Sequence, residues 1–339
     1  MAYGSRPAAS RAHADYVTAT ALSANGPARS TVAASWWRSL VQHGLDPAGA
    51  RPRRAETLSG PELRQRMENS DLLMHVARAK LDHLYKCVSL SACGVFLSDA
   101  DGVVLDARWR SGDQTSFESW GLKPGRSWSE AAVGTNGIGT CLAEERALII
   151  HRDEHFLDRN ISMSCIDAPI YGADGQLIGA LDISSARSDQ TATANQMIAA
   201  LVRETARKIE ADCFRHGHSG QRVILIDDSD EGDAVVAGGA AVALLAVDEN
   251  DLVIGATRGA RLALGLAASG PFSPVPADDL LAGGAADTGL ASAERAVILK
   301  ALARQNGNAS RAAKELGIGR ATLYRRMKRL GLPSRFEQN

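Results

Sequence analysis

The sequence predicts an α+β protein in which an antiparallel sheet is flanked by long helices and followed by a C-terminal three-helix helix-turn-helix. Three observations predict it. Short apolar runs broken by Asp/Gly turns recur along the chain, two long stretches between them keep a helical period, and the last forty residues are strongly basic. Recurring hairpins set among helices describe a sheet with helical cover.

The chain has 339 residues, 45% of them hydrophobic but only 5% aromatic, so its two or three cores are built mainly from Ala, Val, Ile and Leu. Residues 1–30 show no clear apolar period and are expected to fray. Thr31 to Leu45 reads as a helix with Val32, Trp36 and Leu40 on one face, ended by Gly44. The basic run at 51–54 follows as loop. A second helix is expected from near Pro61 to about Val88. Its Leu73, Ala77, Leu81, Leu84 and Val88 form a narrow seam suited to pairing with another helix.

The first hairpin places Val95, Phe96 and Leu97 before the turn Asp99 to Gly102 and Val103 to Leu105 after it. The second runs from Ala168 to Tyr171, turns at Asp174 and Gly175, and returns over Leu177 to Ile183. A weaker third spans Ala243 to Ile254. A long helix is expected from about Thr193 to Phe214, with Ile198, Leu201, Val202, Thr205 and Ile209 as its stripe, to pair with the helix at 61–88 or with its twin in a second subunit. Residues 215–234, with the acidic run from Asp227 to Asp233, read as solvated linker. Ala267 to Gly289 reads as a flexible tether.

In the tail, Glu294 to Arg304 is a first helix with Val297, Ile298, Ala301 and Leu302 on one face. Asn308 is placed to cap a short second helix whose Ala312 and Ala313 allow close crossing. Gly317 to Gly319 is the turn. Arg320 to Leu330 is the third helix, with Leu323, Met327 and Leu330 inward. From Asn308 to Leu332 seven basic residues stand against Glu315, a net of +6, which leaves −7 on the rest of a chain of net charge −1. A basic tail on an acidic body points to a polyanion partner, here double-stranded DNA. Arg320 suits a guanine edge and Thr322 a phosphate or thymine methyl, with Tyr324, Arg325, Arg326, Lys328 and Arg329 as the remaining contact candidates.

The stretch NGNASRAAKELGIGRATLYRRMKRLGL resembles the C-terminal helix-turn-helix of the Fis family. That resemblance implies nucleic-acid contacts for Arg320, Thr322, Arg325 and Arg326, and this chain carries Gly319 where Fis itself has Asn. The segment AAVGTNGIGTCLAEERALIIHRDEHFLDRNISMSCIDAPIYGADGQLIGALDIS resembles the GAF domain of the acetoin-catabolism regulator family, and SWWRSLVQHGLDP resembles its leader. The third hairpin resembles a degenerate PAS module. The resemblance implies a small organic effector, such as an alcohol, ketone or aromatic. The expected domains are a leader with one helix (1–60), a GAF-type sensor with flanking helices (61–215), a PAS-like segment (222–268), a flexible linker (269–290) and a Fis-type DNA-binding domain (291–333).

Members of that family also carry a nucleotide-hydrolysing domain. Here about seventy-five residues separate the long helix from the tail, too few for one, and no GxxxxGK[ST] occurs. No catalytic role, metal or cofactor is assigned. Gly134 to Gly139 is Gly-rich but has no Lys and reads as a tight loop beside the sensor pocket. His151 to His155 matches H-x-x-E-H, a zinc-protease pattern that needs helical geometry. Trp109, Trp120 and Trp128 are either core or pocket wall, and His155, Phe156 and Cys165 are further pocket candidates. Cys141 and Cys165 read as buried thiols. Five scattered cysteines without a CxxC pair, no secretory leader and no membrane-length apolar run suggest the cytoplasm. The expected protein is a homodimeric, non-enzymatic, ligand-responsive regulator, with RNA polymerase or another regulator as a further partner. The alternatives are an architectural DNA binder or an accessory partner of an ATPase-bearing regulator.

Overall fold

The computed structural model describes residues 8–49, 57–185, 191–226, 242–281, 290–305 and 307–332. The chain divides into two compact units, 1–274 and 275–339. The first is built on a five-stranded antiparallel sheet of order β2-β1-β5-β4-β3. Its strands are β1 (Cys93–Asp99), β2 (Val104–Arg108), β3 (Leu148–His151), β4 (Ser164–Tyr171) and β5 (Leu177–Ser185). Both expected hairpins form, but β5 folds back between β4 and β1, so the two hairpins share one sheet. Side chains alternate across a pleat, and here both faces are covered.

One face carries Val95, Leu97, Ile166, Ala168, Ile170, Leu181 and Ile183. Against it pack α5 (Asp71–Val88) and α9 (Ala192–Gly217). Lys80 on α5 bonds Asp212 on α9 at 2.7 Å, and His75 stacks edge-on to His216, so the helices run antiparallel. The seam Leu73, Ala77, Leu81, Leu84 and Val88 and the α9 residues Ile198, Val202 and Ile209 are buried in this core. The two seams are therefore consumed within one protomer. Leu201 and Thr205 leave the expected stripe, Leu201 being 42% exposed.

The predicted helix from Pro61 to Val88 is two. A capping box at Ser59 and Glu62 starts α4 (Gly60–Asn69), and the chain leaves helical geometry at Ser70 before α5 begins. Asn69 and Ser70 both favour turns over helix interiors.

From residue 8 on, the leader corrects the reading of residues 1–30 as frayed and of 1–60 as holding one helix. It contains α1 (Ala8–Ala21), α2 (Gly26–Arg29) and α3 (Thr31–Trp37), the last extended by a wide π turn over Arg38–Gln42. Val17, Ala21 and Trp36 are buried against the opposite face of the sheet. The order of residues 8–21 comes from that tertiary contact, which local periodicity does not report.

Beyond α9, β6 (Arg222–Leu225), β7 (Leu244–Val247) and β8 (Leu252–Ala256) pair antiparallel, followed by α10 (Arg258–Ala263). Phe214 and Ala211 of α9 pack on Leu244 and Ala246. The stretch 215–234 is thus not linker throughout, because β6 lies within it. The acidic run from Asp227 to Asp233 lies outside the described residues.

The second unit begins with α11 (Ala277–Leu281), which falls inside the span 269–290 expected to be a structureless tether. It continues with α12 (Leu290–Arg304), α13 (Ala309–Glu315) and α14 (Arg320–Arg329). Ile298, Ala301, Leu302, Ala312, Ala313, Leu323, Met327 and Leu332 form its core. Val297, expected on the inner face, is 53% exposed. No helix among the described residues is long and apolar enough to cross a membrane.

Candidate effector site and nucleic-acid interface

The sheet face opposite α5 and α9 is roofed by the leader and by α6 (Gln114–Trp120), α7 (Glu130–Val133) and α8 (Gly137–Glu144). Phe96, Phe117, Leu122, Trp128, Val133, Ile138, Phe156 and Met163 fill the space between. The roof is bolted on by charge. Arg38 binds Glu130 through two nitrogens, at 2.7 and 2.9 Å, and Glu144 at 2.7 Å. Both carboxylates hold the Arg38 guanidinium firmly protonated. Ser35 donates to Glu130 as well. The Trp36 indole donates to the Glu154 carbonyl at 2.8 Å.

The Gly-rich stretch is loop only over its first half: Gly134 to Asn136 turn, and Gly137 begins α8. Asn136 caps α8, accepting from the Gly139 amide at 2.9 Å. Gly137 lies directly on the sheet: a Cβ there would sit 2.0 Å from Asp167 Oδ2 and 2.4 Å from the Cys165 Cβ. Only glycine permits this approach.

Beneath α8 the sheet presents a row of buried polar groups. Asp167 and Asp182 are cross-strand partners, as are Cys165 and Ser184, and Ser98 lies on the same face of β1. All five are essentially unexposed. Ser98 Oγ finds no hydrogen-bond partner among the described residues, and the Asp167 and Asp182 carboxyls have mainly each other, through the proton they share. Ser184 Oγ is 2.8 Å from Asp182 Oδ2 and 3.1 Å from Cys165 Sγ. Burial raises both carboxyls well above the ordinary range, and the neighbouring Asp182 charge raises Asp167 further. Two carboxyls in one dry site cannot both ionise, so the pair keeps a proton at neutral pH. Burial, followed by the charges of these acids, also pushes the Cys141 and Cys165 thiols well up. Both are inert as thiolates.

His155 is fully buried in the same region, and burial lowers its pKa to about 4. Its Nδ1 donates to the Arg152 carbonyl at 2.9 Å, and its Nε2 faces Cys165 Sγ at 3.3 Å. His151 points elsewhere. Its Nδ1 lies 2.7 Å from Ser164 Oγ and 3.2 Å from Asn195 Nδ2 on α9, across the sheet. The chain between the histidines is a 3-10 turn over Arg152–Glu154. The H-x-x-E-H pattern therefore does not place two imidazoles on one helix face. Among the described residues no group of three His, Cys, Asp or Glu could hold a metal ion.

The predicted pocket residues are brought together on this face. Trp128, Phe156 and Cys165 belong to its core, Trp109 and Trp120 pack against that core, and His155 reaches Cys165. Trp109 stacks on Phe117, which meets Phe96 and Trp120 edge-on. Trp128 Nε1 donates to the Gly121 carbonyl at 3.0 Å. Missed in the sequence were Ser98, Asp167, Asp182 and Ser184. Strict alternation through the strands, counted from Cys165, would have placed Asp167 inward, and its cross-strand partners with it.

In the second unit, Asn308 caps α13, accepting from the Ser310 and Arg311 amides at 3.1 Å each. Ala312 and Ala313 let α13 cross the neighbouring helices closely. Leu323 and Met327 fix the inner face of α14. Arg320, Arg325 and Lys328 are exposed, and Thr322 and Tyr324 half-buried. The Arg320 guanidinium lies 5.5 Å from the centre of the Tyr324 ring. Arg326 and Arg329 both pair with Glu294 of α12.

These two arrangements are those of a GAF domain and of a Fis-type helix-turn-helix. Residues 74–210 match the GAF domain, and residues 289–330 match the bacterial regulatory protein, Fis family. The chain is 34% identical over 230 residues to the acetoin catabolism regulatory protein of Cupriavidus necator, covering 68% of this chain and 34% of that protein. It is 30% identical over 168 residues to the acetoin dehydrogenase operon transcriptional activator AcoR of Bacillus subtilis, covering 44% and 28%. The chain thus spans about a third or less of the length of these curated relatives. The solved E. coli DhaR(N)-DhaL complex aligns at 15% identity with a TM-score of 0.48, over 72% of this chain and 80% of that one.

Proposed function

We propose that the protein binds double-stranded DNA through α14 and regulates transcription in response to a small organic effector taken up on the roofed face of the sheet. The observation that carries the DNA reading is the outer face of α14, where Arg320, Arg325 and Lys328 are exposed on a helix whose inner face is locked. Arg320 at the helix start is placed to read a base edge. Genome-wide footprinting with the full chain tests this. Discrete sites that vanish with Arg320→Ala support regulation. Diffuse binding indifferent to Arg320 supports the architectural alternative.

The effector reading rests on the buried polar row under aromatic cover. Polar atoms buried without partners are costly, and a ligand bearing hydroxyl or carbonyl groups would satisfy them. A protonated carboxyl pair suits an uncharged ligand better than an anion. Thermal shift with uncharged alcohols, ketones and aromatics, compared between wild type and Asp182→Asn, tests it; a shift unchanged in the variant places the effector elsewhere.

The segment between sensor and tail offers no phosphate-cradling motif, which favours regulation without ATP hydrolysis. A homodimer would use the outer surfaces of α5 and α9, where Leu72, Met197 and Leu201 are exposed, because the inner seams are occupied. Sedimentation of Met197→Glu/Leu201→Glu reads this directly: an unchanged dimer places the contact elsewhere.

A further inference from the structure

The recognition helix has two edges, and they are wired differently. On one edge Arg320 lies against the Tyr324 ring and is exposed. On the other, Arg326 and Arg329, one helical turn apart, converge on a single carboxylate. Glu294 Oε1 lies 3.1 Å from Arg326 Nη1, and Oε2 contacts Arg329 Nη2. The carboxylate is only 17% exposed, against 43% and 65% for the two guanidinium side chains. It sits at the rim of an apolar groove lined by Val297, Ile298, Leu316 and Ile318. Both oxygens are used, and two of the seven basic residues counted in the tail are turned toward α12.

We propose that Glu294 is a positioning residue that limits affinity: it holds Arg326 and Arg329 away from the DNA backbone. The proposal rests on the DNA-binding reading and concerns how that binding is limited. Each phosphate neutralised by a cation adds sequence-independent affinity and about 0.9 to the dependence of log K on log salt. A carboxylate that occupies two guanidiniums removes two such contacts and adds a negative charge beside the duplex. Affinity for arbitrary and specific DNA falls alike, because phosphate contacts carry no sequence information, while the base-reading edge with Arg320 is untouched.

The test measures binding of the full chain to a footprinted site and to a random-sequence duplex, between about 50 and about 200 mM salt. Glu294→Gln keeps the shape of the side chain and removes its charge. It is expected to bind the random duplex more tightly than wild type, with a salt slope steeper by about two. Over that fourfold change in salt the variant then loses about tenfold more affinity than wild type does. The gain is expected on the specific site as well, so the ratio of the two affinities is unchanged. Arg326→Gln/Arg329→Gln is expected to leave the salt slope of wild type unchanged. A Glu294→Gln slope equal to or shallower than wild type overturns the proposal, and so does a double variant whose slope falls by about two. Wild type that binds neither duplex sinks the DNA-binding reading itself, an outcome distinct from wild type that binds and a Glu294→Gln variant that behaves identically.

Discussion

The two faces of the five-stranded sheet are made by the same strands and differ in what they bury at the centre. Toward α5 and α9, the middle of the sheet offers Val, Leu, Ile, Ala and Cys93 to the core, and the buried polar pair Ser164 and Ser185 stands at one end. Toward the roof, one residue out of step, they offer Asp167, Asp182, Ser98, Ser184 and Cys165 beneath aromatic rings. The first face does what a core does. The second gives up stability, because buried polar atoms without partners oppose folding. Where consistency between pattern and packing breaks down, function is the usual reason. The contrast is what supports the proposal that the roofed face takes up the effector while the helical face serves as its frame.

That contrast can be broken in order of expected effect. Leu181→Ala, in the helical core, is expected to cost about 3 kcal/mol of unfolding free energy in urea and to leave the effector response intact. A loss of response at retained stability would mean that the frame itself senses. Arg38→Met strands the buried Glu130 carboxylate and is expected to cost about 3 kcal/mol, close to the first variant. A cost below about 1 kcal/mol would show that charge does not fasten the roof.

The acid pair predicts the next effect, and its sign is fixed. The folded values of Asp167 and Asp182 lie above the unfolded ones, that of Asp182 pushed up to about 7. Their contribution is fully present below the ordinary carboxylate range and is lost as pH rises toward 7. Glu210, half-buried and pushed up by desolvation to about 7, acts in the same direction. The melting temperature should therefore fall by several degrees from pH 5 to pH 8. Asp167→Asn/Asp182→Asn should flatten most of that slope, and a slope unchanged in the double variant would assign it to Glu210. The smallest effect belongs to Ser98→Ala. Removing an unpartnered buried hydroxyl should be neutral or stabilising by up to about 1 kcal/mol, whereas a clear destabilisation in calorimetry would mean that Ser98 has a partner.

Much of this was legible from the residues alone. The hairpins at 95–105 and 168–183, the long helix at 193–214 and the helix-turn-helix follow from period, turn chemistry and caps, all local properties. Six pocket candidates converge on one face because aromatic residues near a sheet bury somewhere, and here one face was free. Less was readable where long-range contact decides. The order of α1 depends on Val17 and Ala21 reaching a core some hundred residues away. That Gly137 to Gly139 open a helix rather than continue the loop of Gly134 to Asn136 shows only when the approach of Gly137 to Asp167 is seen. Asp167 and Asp182 sit in apolar strands fifteen positions apart in the chain, and their juxtaposition requires the β4–β5 register. Glu294 carries no motif; its role comes from a helix crossing.

The bare Cα of Gly137 has a mechanical consequence. No side chain of that residue separates α8 from the carboxyl of Asp167, so nothing small there can swing aside to make room. A guest entering at this point has to raise the helix as a bar. The far end of that bar is tied at two places: Glu144 to Arg38 in the leader, and the next residue, Glu145, to Arg258 of α10 at 2.8 Å. Glu145 also accepts the Tyr171 hydroxyl at 2.6 Å through its carbonyl, and Arg258 covers the Tyr171 ring. Lifting the Gly137 end of α8 thus loads two neighbours at once, with the tied end at Glu144 and Glu145 as the pivot.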